Sequence, residues 1–414
     1  MKPTLQNPNV FSARRNQVLG AVILSLLFLA AMAKAQTETV LHSFAGGRDG
    51  GYPASTLILD PQGNLYGLTV GDTRTAAGYG TVFKVAPGGR ETVLYSFTEY
   101  SFLGGISGPY GDVDLIRDSE GNLYGSTGYG GNVGNCGADG CGEIFEVSPT
   151  GGGHVVYAFP NLNPSGPGTP LARDAAGNLY GSAGNSSYGE IIKLTPTGSV
   201  TELYSFTGSD GWGGGGLIID PQGNLYGTSG IGGSSQCSFG CGTAYKLTET
   251  GEFQVLHNFS GPDGNYPNAE LIRDADGNLY GTARVGGSNS ACTYTGGCGI
   301  VFEITASGTE IVLYSFGGGS DGLYPYSGLV RDKAGNLYGT TSAGGQGSCF
   351  FDLGCGVVFK LAPDGTETIL YSFSGGADGG NPQGGLALDS KGNLYGTTLY
   401  YGAHGYGTVF KVTP

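Results

Sequence analysis

Charge is scarce in this 414-residue chain, and what there is runs acidic: 19 basic residues stand against 33 acidic ones, with four histidines. So little Lys and Arg excludes the electrostatic footprint of a nucleic-acid binder and any strong pull towards an anionic membrane surface. Trp occurs once and Met twice. Beyond the first 35 residues no stretch carries a helical period of apolar residues, which excludes helix bundles and layered α/β folds. Gly is abundant, at 83 residues, yet has no triplet period, so collagen is excluded as well. No His has an evident Ser or Cys partner, so nucleophilic triad chemistry has little to build on.

The long apolar run is confined to the beginning. Arg14 and Arg15 precede an apolar stretch over 18–32, and Ala33-Lys34-Ala35 then leads into Gln36. This is the layout of a secretory signal peptide over 1–35, with cleavage near Ala35 and no Cys beside the site for a lipid anchor. Removing its four basic residues deepens the acidic excess of the remainder. We expect residues 36–414 to form one secreted or periplasmic domain with no membrane span, and to be a monomer.

That domain is a repeat. GNLYG begins at Gly63, Gly121, Gly177, Gly223, Gly277, Gly335 and Gly392. A period of this size means a stack of similar units, each unable to bury its apolar faces alone. Each unit holds four short runs rich in β-branched and aromatic residues: a GLILD type (216–220), NLYGTT (336–341), GTVFKV (80–85) and TVLYSF (92–97). These read as strands. In the last, simple alternation puts Val93, Tyr95 and Phe97 on one face and Leu94 with Ser96 on the other. Four-stranded sheets set radially make a β-propeller. The chain starts and stops out of phase with its repeat: a TVLYSF-type run (39–44) comes first, and a GTVFKV-type run (407–412) comes last with no fourth run after it. The N-terminal strand therefore closes the last blade. We expect an all-β, seven-bladed β-propeller of four-stranded blades. A β-solenoid is the competing fold, and it gives no reason for the phase offset.

Eight cysteines fall in four close pairs, Cys136/Cys141, Cys237/Cys241, Cys292/Cys298 and Cys349/Cys355. Each pair lies in one of the four longest loops between second and third strands. One disulfide per loop in an oxidising compartment is the simplest reading. Two-Cys knuckles also bind zinc, but these loops hold only two Cys each and no nearby His.

Topology sorts the loops onto two rims. The rim of the 1–2 and 3–4 turns is uniform, with Asp-x-x-Gly-Asn in every copy, and is read as turn chemistry. The rim of the 2–3 loops and inter-blade links is long, varied and aromatic. It carries Asp-Gly at Asp49, Asp210, Asp263, Asp321 and Asp378. Variable loops on a rigid scaffold are where binding usually sits. Aromatic faces beside carboxylates suit sugars or peptides, so Trp212, Tyr52, Tyr266, Tyr324, Tyr129, Phe351 and Tyr401 are the candidate ligand-binding residues. The bland alternative is that these rings pack within their own loops and the aspartates cap turns. No cofactor is called for. Calcium at the Asp-Gly loops stays open, although none has the dense acid spacing of a dedicated calcium loop. His42, His154 and His257 read as variation within fourth strands.

GNLYGTT, a Gly-rich loop, GTVFK, TVLYSF and then GG-x-DG-x-x-P together resemble the bacterial GloVer tandem repeat ("choice-of-anchor" repeat) family. The fullest copy spans 335–382, and the resemblance covers 37–414. It implies an exported cell-envelope or extracellular protein of unknown activity, often bearing a C-terminal sorting anchor. This sequence ends at Pro414 directly after its last strand, so the expectation is a soluble exported form. Two links, over 99–111 and 160–170, lack the Asp-Gly signature. The D-x-x-GNLY segment alone also resembles turns of gluconolactonase-like and streptogramin-lyase-like propellers, at the level of fold.

Two functions follow. The first is a non-enzymatic binding or scaffold propeller taking an extracellular glycan or protein on the long-loop rim. The second is a polysaccharide lyase, glycosidase or lactonase with its site at the central opening, where His404, Glu99, Asp112, Asp114 and Asp139 are the candidates because they break the repeat.

Overall fold

The structure is a computed structural model that describes residues 36–70, 79–97, 114–128, 130, 140–160, 169–184, 188–233, 235–289, 292, 296–349 and 352–414. Residues 1–35, expected to be a signal peptide, lie outside them, as do Tyr129, Phe351, Glu99, Asp112, Asp139 and Cys136. Seven antiparallel sheets form a ring, making a seven-bladed β-propeller. In the first unit the strands are Ile58–Leu59, Leu65–Thr69, Thr81–Val85 and Glu91–Ser96, hydrogen-bonded in that order. Thr37–Ser43 pairs with Thr408–Thr413, with Thr37 opposite Thr413, and completes the last blade. One blade splits its first strand into Leu323–Pro325 and Val330–Arg331, both paired with Leu337–Ala343. Among the described residues there is no α-helix.

Each letter of the repeated motif has a physical task. The turn aspartate comes first: Asp332 Oδ1 accepts the amides of Ala334 and Asn336, and its Oδ2 accepts the Asn336 side chain and the Tyr338 hydroxyl. The Asn and Tyr bonds to the turn aspartate recur in all seven copies, from Asp60 to Asp389. Partial burial works against the charge of these aspartates, but the hydrogen bonds outweigh it and hold their pKa values below the ordinary carboxylate value. The first Gly of GNLYG adopts positive φ, 84° at Gly63, as the turn demands. The second leaves room for a ring: a Cβ on Gly67 would stand 2.7 Å from Phe83 Cζ.

Blades are joined by aromatics. The Phe ending one fourth strand meets the third-strand ring of the next blade edge to face, as in Phe44–Phe83, Phe97–Phe145, Phe259–Phe302, Phe316–Phe359 and Phe373–Phe410, with centroids 5.0–5.2 Å apart. Such pairs contribute about 0.5–1.5 kcal/mol beyond area burial. Arg117 lies over Tyr66 and Arg331 over Tyr280, again across blades.

Simple alternation fails in the fourth strand. The register slips at Leu94, so that Val82 faces Tyr95 while Phe83 faces Val93. The same slip occurs in all seven outer strands. A bulge frees a carbonyl from the ladder. Here the Leu94 oxygen accepts the Gly152 N–H of the next blade at 3.0 Å, so the bulge serves blade-to-blade contact.

Three of the four expected disulfides are described at both ends, Cys237–Cys241, Cys292–Cys298 and Cys349–Cys355. The pair expected between Cys136 and Cys141 differs from these. Cys141 is buried and disulfide-bonded, with no free thiol. Cys136 lies outside the described residues, so the bridge is described only from the Cys141 side. The loops are fastened to the links that follow them: Cys298 and Cys355 carbonyls accept the amides of Tyr324 and Asn381 at 3.0 and 2.8 Å.

Candidate functional site

The long-loop rim holds an apolar hollow of about 440 Å³ between two blades, lined by Trp212, Gly213, Gly214, Gly230, Ile231, Phe239 and Asn268. Trp212 is 39% exposed and Phe239 69% exposed, both unusual for residues of their size. Trp212 is held from behind: its amide donates to Ile231 O at 3.0 Å and its ring meets Tyr188 edge to face, centroids 5.5 Å apart. Phe239 sits inside the small ring closed by Cys237–Cys241, so a covalent staple fixes the loop that presents it. Asn268 forms part of the wall. It comes so near Gly230 that any Cβ there would collide with its Oδ1.

The other expected ligand aromatics are placed differently. Tyr52, Tyr266, Tyr324 and Tyr401 are half-buried and all have positive φ, 57–66°. Such a conformation costs a bulky residue on the order of 1–3 kcal/mol and persists only where surroundings impose it. Tyr52 packs edge to face on Tyr400 and Tyr406, and Tyr324 lies beneath Arg284. The Asp-Gly aspartates cap their own turns: Asp378 accepts the amides of Ser374 and Gly376 and the Tyr371 hydroxyl, and Asp321 is bound likewise.

A second feature lies where the first strands meet around the axis. The residue four places before each turn aspartate stands just ahead of the first strand; it is Gly at 216, 328 and 385, Pro170 and Thr56 in five copies. In the remaining two it is acidic, Asp114 and Glu270. Asp114 is buried and accepts the Thr56 amide at 2.5 Å, while Thr56 Oγ1 accepts the Gly385 amide at 3.0 Å. A Cβ on Gly216 would stand 3.1 Å from Glu270 Cβ and 3.2 Å from Pro170 Cβ, which shows how tightly this ring is drawn. Burial pushes Asp114 up to about 6, against the Thr56 hydrogen bonds. Burial and then the charge of Asp114 push Glu270 up to about 8. Glu270 as a residue keeps partial solvent contact.

Of the described candidates for chemistry, Asp114 thus meets an acid that the sequence reading passed over. His404 is exposed in its loop. The signal for Glu270 was present: aligning the seven copies on their turn aspartates leaves acids in this slot at two positions only.

A family model described as the Gloeobacter/Verrucomicrobia repeat matches residues 26–184, 133–351 and 290–414. No curated protein matches the chain. Among solved structures, virginiamycin B lyase from Staphylococcus aureus is similar, with a TM-score of 0.57 at 14% identity, covering 92% of this chain and 99% of that one. An oligogalacturonate lyase in complex with manganese gives 0.54 at 12% identity, covering 88% and 89%. PorZ, a surface component of the type-IX secretion system of Porphyromonas gingivalis, gives 0.52 at 16%, covering 89% of this chain and 47% of its own. At such identities the likeness is one of fold.

Proposed function

The chain belongs to the Gloeobacter/Verrucomicrobia repeat family, and from that premise we propose that it is an exported binding propeller whose long-loop rim takes a polyhydroxylated ligand, a glycan chain. One observation carries this reading: two exposed aromatic rings, Trp212 and Phe239, border a hollow whose wall includes the Asn268 amide. Aromatic faces stack on the C–H faces of sugars, and an amide offers both a donor and an acceptor to hydroxyls. The rings sit on loops braced by a disulfide and by backbone hydrogen bonds, so little ordering entropy opposes binding. The disulfides at Cys237, Cys292 and Cys349 fit an oxidising compartment, as export requires.

Trp212 is the sole Trp, so its fluorescence reports on this site alone. Oligosaccharides that bind should change that emission, and calorimetry should show affinity falling about tenfold or more in W212A and F239A, a loss of about 1.4 kcal/mol or more. Equal affinity in wild type and W212A, or no binding across a broad glycan array, would overturn the reading.

The second reading is enzymatic, and the axial pair favours it. Two acids pushed to about 6 and about 8 would stand as one base and one acid near neutrality. Turnover of a polysaccharide or lactone that is abolished by D114N and by E270Q, with binding retained, would replace the first reading.

A further inference from the structure

Four blade junctions bring two carboxylates together on the outer side of the ring: the Asp of an Asp-Gly link and the Glu that opens the next fourth strand. The pairs are Asp378 with Glu38, Asp49 with Glu91, Asp263 with Glu310 and Asp321 with Glu367. At two of them a fourth-strand tyrosine closes the group, Tyr371 donating to Asp378 and Tyr314 to Asp321. At the other two the tyrosine is replaced by His42 or His257. That exchange turns a hydroxyl donor into an imidazole, which can offer a lone pair.

We propose that His257, Asp263 and Glu310 bind a divalent metal ion of the zinc class, which ties the fourth strands of two neighbouring blades together. One ligand atom from each residue lies within 4.8 Å of the others. A tetrahedral site with bonds of about 2.1 Å needs donors roughly 3.4 Å apart, which small side-chain rotations supply. The donors are also disposed for it. Asp263 Oδ1 is engaged by the Ser260 amide and hydroxyl at 2.7 and 2.8 Å, which fixes the carboxylate and leaves Oδ2 facing His257 Nε2 at 3.0 Å. Glu310 Oε1 is buried and has no hydrogen-bond partner. A cation would satisfy that oxygen and neutralise two carboxylates that now repel each other. His257 and Asp263 side chains are 20% and 23% exposed, so an ion and its waters can enter. The His42 junction is a looser copy, with 3.7 Å between His42 Nε2 and Asp49 Oδ2 and with Nε2 and Glu91 Oε1 both buried and unpartnered.

The test uses the full mature chain, stripped with a chelator and titrated with Co²⁺ and Zn²⁺. We expect a saturable visible Co²⁺ absorption that Zn²⁺ displaces, and a Zn²⁺-dependent rise in Tm. H257Y restores the residue that sister junctions carry and should fold. Both H257Y and E310Q should weaken Zn²⁺ binding about tenfold or more, whereas H404A should leave it unchanged. Failure of the wild type to take up stoichiometric Zn²⁺ overturns the proposal. So does binding by H257Y and E310Q within about twofold of wild type.

Discussion

Tyr338 donates its hydroxyl to Asp332 Oδ2 over 3.0 Å, reaching back six residues across the turn of its own blade. The bond closes a clamp in which one carboxylate organises a whole turn.

D332A should therefore remove four hydrogen bonds at once and strand the Tyr338 hydroxyl. A loss of about 1–3 kcal/mol is expected, measured by urea denaturation, and Y338F should cost less, about 1 kcal/mol. Equal stability of D332A and wild type would show the clamp to be incidental.

Stability should fall as pH rises above about 5. Glu38, Glu91, Glu310 and Glu367 are raised from 4.5 to about 7, by burial first and then by the facing aspartates Asp378, Asp49, Asp263 and Asp321. A raised carboxyl favours the folded state while protonated; that contribution is whole below pH 4.5 and disappears as pH passes about 7. Asp114 and Glu270 act in the same direction, up to about 6 and about 8. The seven turn aspartates, with lowered values, work oppositely and lose their contribution as pH falls through the ordinary carboxylate range. His42, lowered by burial, also favours the less acidic side. The Tm of chelator-treated protein should peak near pH 5 and decline towards pH 8. A Tm that rises steadily over that interval would contradict the assignment.

Neutralising one axial acid should relieve the other. E270Q should raise Tm at pH 8 relative to wild type, and D114N should lower the pKa of Glu270, because the Asp114 charge that it confronts is gone. The carboxyl resonance of Glu270 in an NMR titration reads this directly.

Opening the Cys237–Cys241 ring should hurt binding more than stability. The two cysteines are only four residues apart, so C237S/C241S should lose well under about 3 kcal/mol. Yet Phe239 is then free to leave the hollow, and affinity for the oligosaccharide found by Trp212 fluorescence should fall severalfold. An unchanged affinity would detach Phe239 from the site.

Finally, F410A should open a void against Phe373, whose ring lies 5.0 Å away across the junction of the last two blades. Both rings are fully buried. A cost of about 3–5 kcal/mol in chemical denaturation is expected.

Much of the fold could be read directly from residues because GNLYG repeats seven times and each copy imposes the same local clamp. Strand identity, blade count and closure all rest on such local information. The bulge at Leu94 could not be seen, because its carbonyl finds its partner, Gly152, only once the next blade is in place. The site was legible in part. Trp212 stood out by rarity, but the hollow beside it depends on Asn268 arriving from another blade. Glu270 does not stand out in its own copy, because its slot lies just ahead of a first strand and outside the variable loops, and is held by Gly, Pro or Thr in every other copy but that of Asp114. His257 looked like drift within a strand until Asp263 and Glu310 were brought against it from a link and a neighbouring blade.

The pairing of Thr37 with Thr413 sets a clock on assembly. Six blades can form from contacts local in sequence, but the seventh requires the two ends of the domain to meet. Until the last strand has emerged, Thr37–Ser43 has no ladder to join and the ring stands open with two bare edges. Closure of so long a loop is slow, and an open edge is a place where two copies can exchange strands. Refolding of the intact domain should accordingly be limited by a single late step at this seam, the moment at which a string of sheets becomes a ring.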